Sequence, residues 1–291
     1  MEARASYKRN CELSQDMERP EGIVRVALGV EYSGADFFGF QRQTTTDNTV
    51  QGKLEKALSE IAREPISLVC AGRTDAGVHA TEQIVHFDTV AVRPSKAWVL
   101  GVNTRLPDSV RVLWAKDVNL DFHARFGASS RSYRYIFYPA SVRSAILGRQ
   151  VTVTRKDLDF NRMAEASKHL VGRHDFTSFR SSRCQAHNPV RTVDSIEWRR
   201  HGSLVAMQIR ANAFLHHMVR NIVGSLIEVG LGRYDDLWLK NVLAAKDRCQ
   251  AGPTAPPCGL YLTEVQYPQA FQLPRLPVGP AFFVWDDHSA I

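Results

Sequence analysis

Apolar positions recur along the chain with two periods, and the period separates strand from helix. Ile23 to Tyr32 alternates and is rich in valine, which predicts a strand. Gln83 to Asp88, Val110 to Val118 and Ser130 to Tyr138 alternate in the same way. In the last of these, Tyr133, Tyr135 and Phe137 face one side and Arg134, Ile136 and Tyr138 the other. Val190 to Arg199 and Leu204 to Ala211 flank His201-Gly202, which predicts an antiparallel hairpin. The run Ile66 to Cys70 reads as a short buried strand, and Leu260 to Tyr267 as a final one.

Helical spacing places Val50, Leu54, Ala57, Leu58 and Ile61 on one face, predicting a helix from Val50 to Arg63. Further helices are predicted over Ser95 to Thr104, Leu158 to Val171 with Gly172 as C-cap, and Asp235 to Lys246. Phe214 to Val229 carries the broadest apolar face, with His216, Arg220 and Gly224 at i, i+4 and i+8 on the other side. Strands mixed with helices, without regular βαβ repetition, predict an α+β fold with a mostly antiparallel sheet. Residues 1 to 21 are polar and without period, predicting a flexible arm. A Pro-rich tail over 271 to 291 is expected to lie against the surface or stay unstructured.

Composition narrows the class. The 291 residues are 44% hydrophobic and 23% charged, as in a soluble globular protein. No stretch approaches the length of a membrane span, and Met1 to Glu21 lacks the apolar segment of a signal peptide. Five scattered cysteines without a CxxC pair fit a reducing cytoplasm and argue against a zinc site. A net charge of +7 and a pI near 9.3 favour a polyanionic partner.

The densest chemistry lies in Ala71-Gly72-Arg73-Thr74-Asp75-Ala76-Gly77-Val78-His79-Ala80. Two glycines able to take positive φ bracket Arg73, Thr74 and Asp75, a loop suited to close ligand approach. Arg73 and Asp75 fit a reactive pair or a structural ion pair in a turn. Arg220, on a largely buried helix, requires an anionic partner, and Asp75 is the candidate. His216 and His217 are discounted as metal ligands because neighbours on a helix point in different directions. In the loop from Phe37 to Gln43 the phenylalanines read as core and Arg42 as an RNA contact. Arg93 is solvated surface or a phosphate ligand, and the polar loop Arg180 to Pro189 is surface or a nucleic-acid contact.

The string AGRTDAGVHA resembles the active-site loop of the tRNA pseudouridine synthases of the TruA family. Gly39-Phe40-Gln41-Arg42-Gln43, Phe122-His123-Ala124-Arg125-Phe126, Arg131-Ser132-Tyr133-Arg134-Tyr135, Asp175-Phe176-Thr177-Ser178-Phe179 and Asn212 to Asn221 extend the resemblance in the family's order, over roughly residues 23 to 268.

The resemblance implies a pseudouridine synthase fold of two similar α+β halves, 22–127 and 128–270, with a central catalytic cleft. It implies a homodimer that isomerises uridines 38, 39 and 40 in the tRNA anticodon arm without cofactor or metal. Asp75 would be the essential carboxylate, Arg73 would hold the flipped base's place, and Arg220 would pair with Asp75. Arg73 would flank that carboxylate too; adjacent guanidinium groups favour a carboxylate's charged form. Tyr133 would supply a ring and hydroxyl at the uracil. Outer RNA contacts would come from Arg42, Arg93, Phe122, His123, Arg125, Phe126, Arg183, Gln185 and His187. Two rivals stand beside this reading: a tRNA-binding chaperone without chemistry, and a metal-dependent hydrolase built from His86, Asp88, His216 and His217.

Overall fold

A computed structural model describes residues 22–283 and 285. The arm expected over 1–21 lies outside the described residues. One ten-stranded sheet forms the molecule's frame. Its strands are β1 (Val24–Tyr32), β2 (Val69–Cys70), β3 (His79–Thr89), β4 (Val110–Val118), β5 (Ser130–Pro139), β6 (Thr152–Thr154), β7 (Gly172–Asp175), β8 (Val190–His201), β9 (Leu204–Ala211) and β10 (Leu260–Gln266). The spatial order is β4-β1-β3-β10-β5-β9-β8-β7, with β2 on β3 and β6 on β5.

All neighbours on that path pair antiparallel except β3 and β10, which run parallel through Tyr261↔His79 and Leu262↔Ala80. The last strand is thus inserted between β3 and β5, and the segment preceding β3 opens at this seam. The α+β, mostly antiparallel class expected from the hydrophobic pattern is the one found.

Helices α1 (Val50–Ala62), α2 (Phe160–Ser167), α3 (Met218–Gly230) and α4 (Asp236–Ala245) share the main core with the sheet. Thr49, Asp159 and Asp235 accept hydrogen bonds from backbone N–H groups of the first turns of α1, α2 and α4, which fixes where those helices begin. The alternation in β5 has a direct consequence: Tyr133, Tyr135 and Phe137 lie in the main core, whereas Ile136 belongs to a smaller one with Val151, Ala206, Tyr261 and Phe283.

Four expectations need correction, and a fifth element is found with a local irregularity. The Ile66–Cys70 strand shrinks to two residues, with Val69 exposed. The helix expected over Ser95 to Thr104 is present, with a π-type turn at Ala97–Gly101. Gly172, at φ +111°, opens β7 instead of capping a helix. The helix predicted from Phe214 begins only at Met218, because His217 at φ 62° breaks the turn before it. The tail does not merely rest on the surface: Phe283 is buried, and Val278 and Phe283 carbonyls accept from the Arg134 guanidinium, over which Trp285 stacks at 4.4 Å. Among the described residues no helix is long and apolar enough to cross a membrane.

Candidate active site

The segment from Ala71 to Val78 leaves β2, turns at the seam and enters β3. Backbone and side-chain bonds hold it from beneath. The Gln83 amide brackets Gly72, donating to its carbonyl at 2.5 Å and accepting from its N–H at 3.2 Å. Thr74 Oγ1 shares a 2.8 Å hydrogen bond with the Tyr32 hydroxyl, and the Thr74 carbonyl accepts from Phe40 N at 3.0 Å. Gly39, at φ +97°, allows that approach, because a Cβ there would stand 3.0 Å from the Thr74 carbonyl oxygen. Val78 N donates to the Asp75 carbonyl at 3.1 Å and closes the turn, with Gly77 at φ +79°. Gly72, by contrast, needs no positive φ.

His79 is structural. Its Nδ1 accepts from Gly34 N and its Nε2 lies 3.2 Å from the Cys258 carbonyl, which fixes the Nε2–H tautomer. Burial pushes its pKa down to about 4.

The Asp75 carboxylate faces the start of α3. Arg220 Nη1 donates to Asp75 Oδ2 at 3.0 Å, and Arg220 Nε donates to the Ala255 carbonyl at 2.9 Å. Both partners are largely sheltered, with side-chain exposures of 19% for Asp75 and 14% for Arg220. Screening by water is therefore weak and the pair is oriented by more than its own charges. Gly224, one turn further along α3, explains how the Ala251–Ala255 loop comes so close: a Cβ there would stand 1.6 Å from the Pro253 carbonyl oxygen.

Tyr133 approaches from β5. Its ring is buried edge-to-face on Phe214, with centroids 5.0 Å apart. Its hydroxyl lies beside Gly72 and makes no hydrogen bond with any described residue. A phenol in such a place commonly has a hydrogen-bond partner. Burial, and then the negative charge of Asp75, raise its pKa against the opposing pull of Arg131.

Sequence reasoning assigned Arg131 no separate role, yet it ties three segments together. Its guanidinium donates to the carbonyls of Ala71, Arg125 and Asn212 at 3.0, 2.6 and 3.0 Å. The signal was present in its position two residues before Tyr133 on the same strand face.

His216 and His217 precede α3 instead of lying on it, so the argument that separated their directions does not hold. Their ring centroids lie 4.0 Å apart with the planes tilted by 32°, His216 Nε2 standing 3.3 Å from Asp75 Oδ1 and His217 Nε2 3.4 Å from Oδ2. These three residues could together offer ligand atoms to a metal ion. A cation there would share the Asp75 carboxylate with the Arg220 guanidinium, which opposes it electrostatically. The quartet His86, Asp88, His216 and His217 is not assembled among the described residues. His86 Nδ1 accepts from Ala124 N, and Asp88 is paired with Arg25.

Arg73 does not flank Asp75 as a second cation: it is exposed, and Nη1 reaches Gln185 Oε1 at 3.5 Å. That contact brings the loop bearing Arg183, Gln185 and His187, all exposed, against the 71–78 segment. Phe122 is a correction. It is 0% exposed among Tyr267, Phe271 and His86, and has no surface to present to a base. Phe126 is half exposed, stacks on His123 at 4.5 Å and lies under the Arg125 guanidinium at 5.5 Å. Arg42 pairs with Glu55 while remaining 70% exposed, and Arg93 donates to the carbonyls of Ile61 and Val92.

A sheltered carboxylate fixed by an arginine, on a loop beside which a buried tyrosine hydroxyl lies, is the candidate site. Residues 29–127 and 166–268 match the family described as tRNA pseudouridine synthase. The chain belongs to that family, which is one of isomerases. It is 56% identical over 261 residues to the tRNA pseudouridine synthase A of Shewanella woodyi, covering 90% of this chain and 100% of the relative. It is 54% identical, with the same coverage, to the tRNA pseudouridine synthase A of Shewanella sp. strain MR-4. Among solved structures, an H/ACA RNP bound to a substrate RNA containing 2′-deoxyuridine aligns with TM-score 0.35 and 11% identity, over 81% of this chain and 47% of that one.

Proposed function

We propose that this chain converts uridine to pseudouridine at positions 38, 39 and 40 of the tRNA anticodon stem-loop, with Asp75 as the catalytic carboxylate. The observation that carries the reading is the Asp75–Arg220 pair on the same loop whose Gly72 lies beside the Tyr133 hydroxyl. Positions 38 to 40, a cytoplasmic homodimer and the division into halves 22–127 and 128–270 rest on the family resemblance.

In this isomerisation the N1–C1′ bond breaks, the uracil turns, C5 bonds to C1′, the proton on C5 leaves, and N1 takes up a proton in its place. No electrons are gained or lost overall. A carboxylate held in its charged form meets the need for a nucleophile or base at the sugar or ring. Arg220 keeps that charge in place, and the Tyr133 ring and hydroxyl meet the uracil near C5.

The target base must leave its stack to reach Asp75, at a cost of a few kcal/mol. Arg73, exposed at the loop's outer edge, fills the vacated space. The Arg125–Phe126–His123 platform and the Arg183, Gln185 and His187 loop then hold the strand, with Arg42 and Arg93 reaching phosphates further out. Phe122 plays no part in this. Tritium release from C5-labelled uridine in unmodified tRNA tests the proposal: the wild type releases it and Asp75→Asn does not. Release by neither protein, with tRNA still bound, would favour a tRNA-binding chaperone.

A further inference from the structure

His217 lies 3.4 Å from Asp75 and also lines a cavity of about 650 Å³, walled further by Arg180, Asn221, Lys246, Arg248 and Thr254. The remaining wall is made of the hydroxyl-bearing Thr177, Ser181 and Ser182 together with Asp247. No apolar side chain and no phenylalanine, tyrosine or tryptophan lines it.

The cations there are short of counter-charge. Arg248 gives its hydrogen bonds to neutral oxygens: Ala251 O, Asn221 Oδ1 and Thr254 Oγ1, each at 3.2 Å. Arg180 donates to the Cys184 carbonyl at 2.9 Å. Among the described residues neither guanidinium pairs with a carboxylate. Lys246 lies 3.5 Å from Asp175 and is 61% exposed, and Asp247 is the one carboxylate in the wall. Two guanidinium groups converging with an ammonium and several hydroxyls match the oxygens of a phosphodiester.

The same helix serves both sites. Arg220 on α3 holds Asp75, and its neighbour Asn221 accepts from Arg248 and from Thr254 Oγ1, the latter at 2.6 Å. The charge of Arg248 is felt at His217, where burial and nearby cations lower the imidazole pKa against the pull of Asp75.

We propose that this cavity is a phosphate subsite for the RNA strand, taking a phosphodiester flanking the target uridine on Arg180, Arg248 and Lys246. It sets the register of the strand against Asp75. The inference rests on the functional reading above, because it takes the occupant of the Asp75 site to be a nucleotide of RNA.

The test measures binding of an unmodified anticodon-arm RNA hairpin against salt concentration, with Asp75→Asn as parent so that nothing turns over. Arg180→Gln and Lys246→Gln are each added to the parent; the second changes an exposed side chain and keeps the fold. Each should lower the slope of log K against log salt by about 0.7 to 0.9. Each should also weaken binding about tenfold, as expected for a lost hydrogen bond to a charged group. A hairpin with one neutral methylphosphonate linkage should show the same loss with the parent at one position beside the target, and no added loss with the variants. Unchanged slopes in both variants, with the parent binding normally, would overturn the subsite and leave the functional reading standing. If the parent does not bind and the wild type releases no tritium from tRNA, the functional reading fails and the subsite falls with it.

Discussion

Arg220 and Asp75, 145 positions apart in the chain, meet at 3.0 Å, and the same guanidinium also grips the Ala255 carbonyl. One side chain therefore joins the 71–78 loop, α3 and the Pro-rich loop before β10. That fork is specific to a guanidinium. Arg220→Lys keeps a positive charge but cannot make both bonds in the same geometry. We expect kcat to fall by roughly 10- to 100-fold with KM little changed, as for an interaction that counts chiefly in the transition state. Steady-state kinetics on unmodified tRNA provides the check. A proportional rise in KM alone would assign Arg220 to binding.

Tyr133 offers a cleaner separation of ring from hydroxyl. Because its hydroxyl bonds to no described residue, Tyr133→Phe should leave stability within about 0.5 kcal/mol of wild type. If the hydroxyl assists at C5, kcat should drop by about 100-fold or more. Thermal melts beside single-turnover rates decide this, and a fully active Tyr133→Phe would confine the residue to packing.

Gly224 links fold to site. An added methyl would collide with the Pro253 carbonyl at 1.6 Å, and backbone, unlike a flexible side-chain tip, yields only by moving the loop. Gly224→Ala should destabilise by about 1 to 3 kcal/mol. It should also slow catalysis, because the moving loop carries Ala255 away from Arg220. Recovery of full activity at temperatures well below the melting point would separate the loop from the site.

Two kinds of buried group set opposite pH trends in stability. Burial depresses His86 to about 3 and His79 to about 4, below the unfolded value of 6.5. Their contribution is therefore full above pH 6.5 and is lost as pH falls toward 4 and 3. Glu82 is raised to about 7 by burial and then by Glu264, so its contribution is full below pH 4.5 and is lost as pH rises through 7. Glu82→Gln should stabilise the protein by about 1 kcal/mol at pH 8, a gain that fades by pH 4.5. Urea midpoints at the two pH values measure the difference, and a gain independent of pH would assign the effect to something other than titration.

Part of the frame was legible where side chains alternate between faces, as in β4, whose burial alternates from Val110 to Trp114, and in β5, where Tyr133, Tyr135 and Phe137 share one core and Ile136 lies in the other. The Arg220–Asp75 pair was legible from electrostatics, since a sheltered arginine demands an anion. The histidine pair was not. Phe214 and Leu215 continue the apolar spacing of α3 backwards, and no side chain caps the helix, so nothing local announces its start at Met218. Their apolar character serves Tyr133 and the core instead. Phe122 and Phe126 show a similar limit. They flank His123 symmetrically in the sequence, yet one is interior and the other half exposed, because only the three-dimensional position of Tyr267 and Phe271 distinguishes them.

The central claim is that a single carboxylate performs the chemistry while the surrounding protein holds the RNA. Asp75→Asn changes one oxygen to an amide and preserves the shape of the site. Its most direct test follows tritium release from C5-labelled uridine in unmodified tRNA, with binding of the same tRNA measured in parallel. The account predicts release by the wild type, none by Asp75→Asn, and tRNA affinity within a few-fold of wild type. Release by Asp75→Asn at the wild-type rate would contradict it.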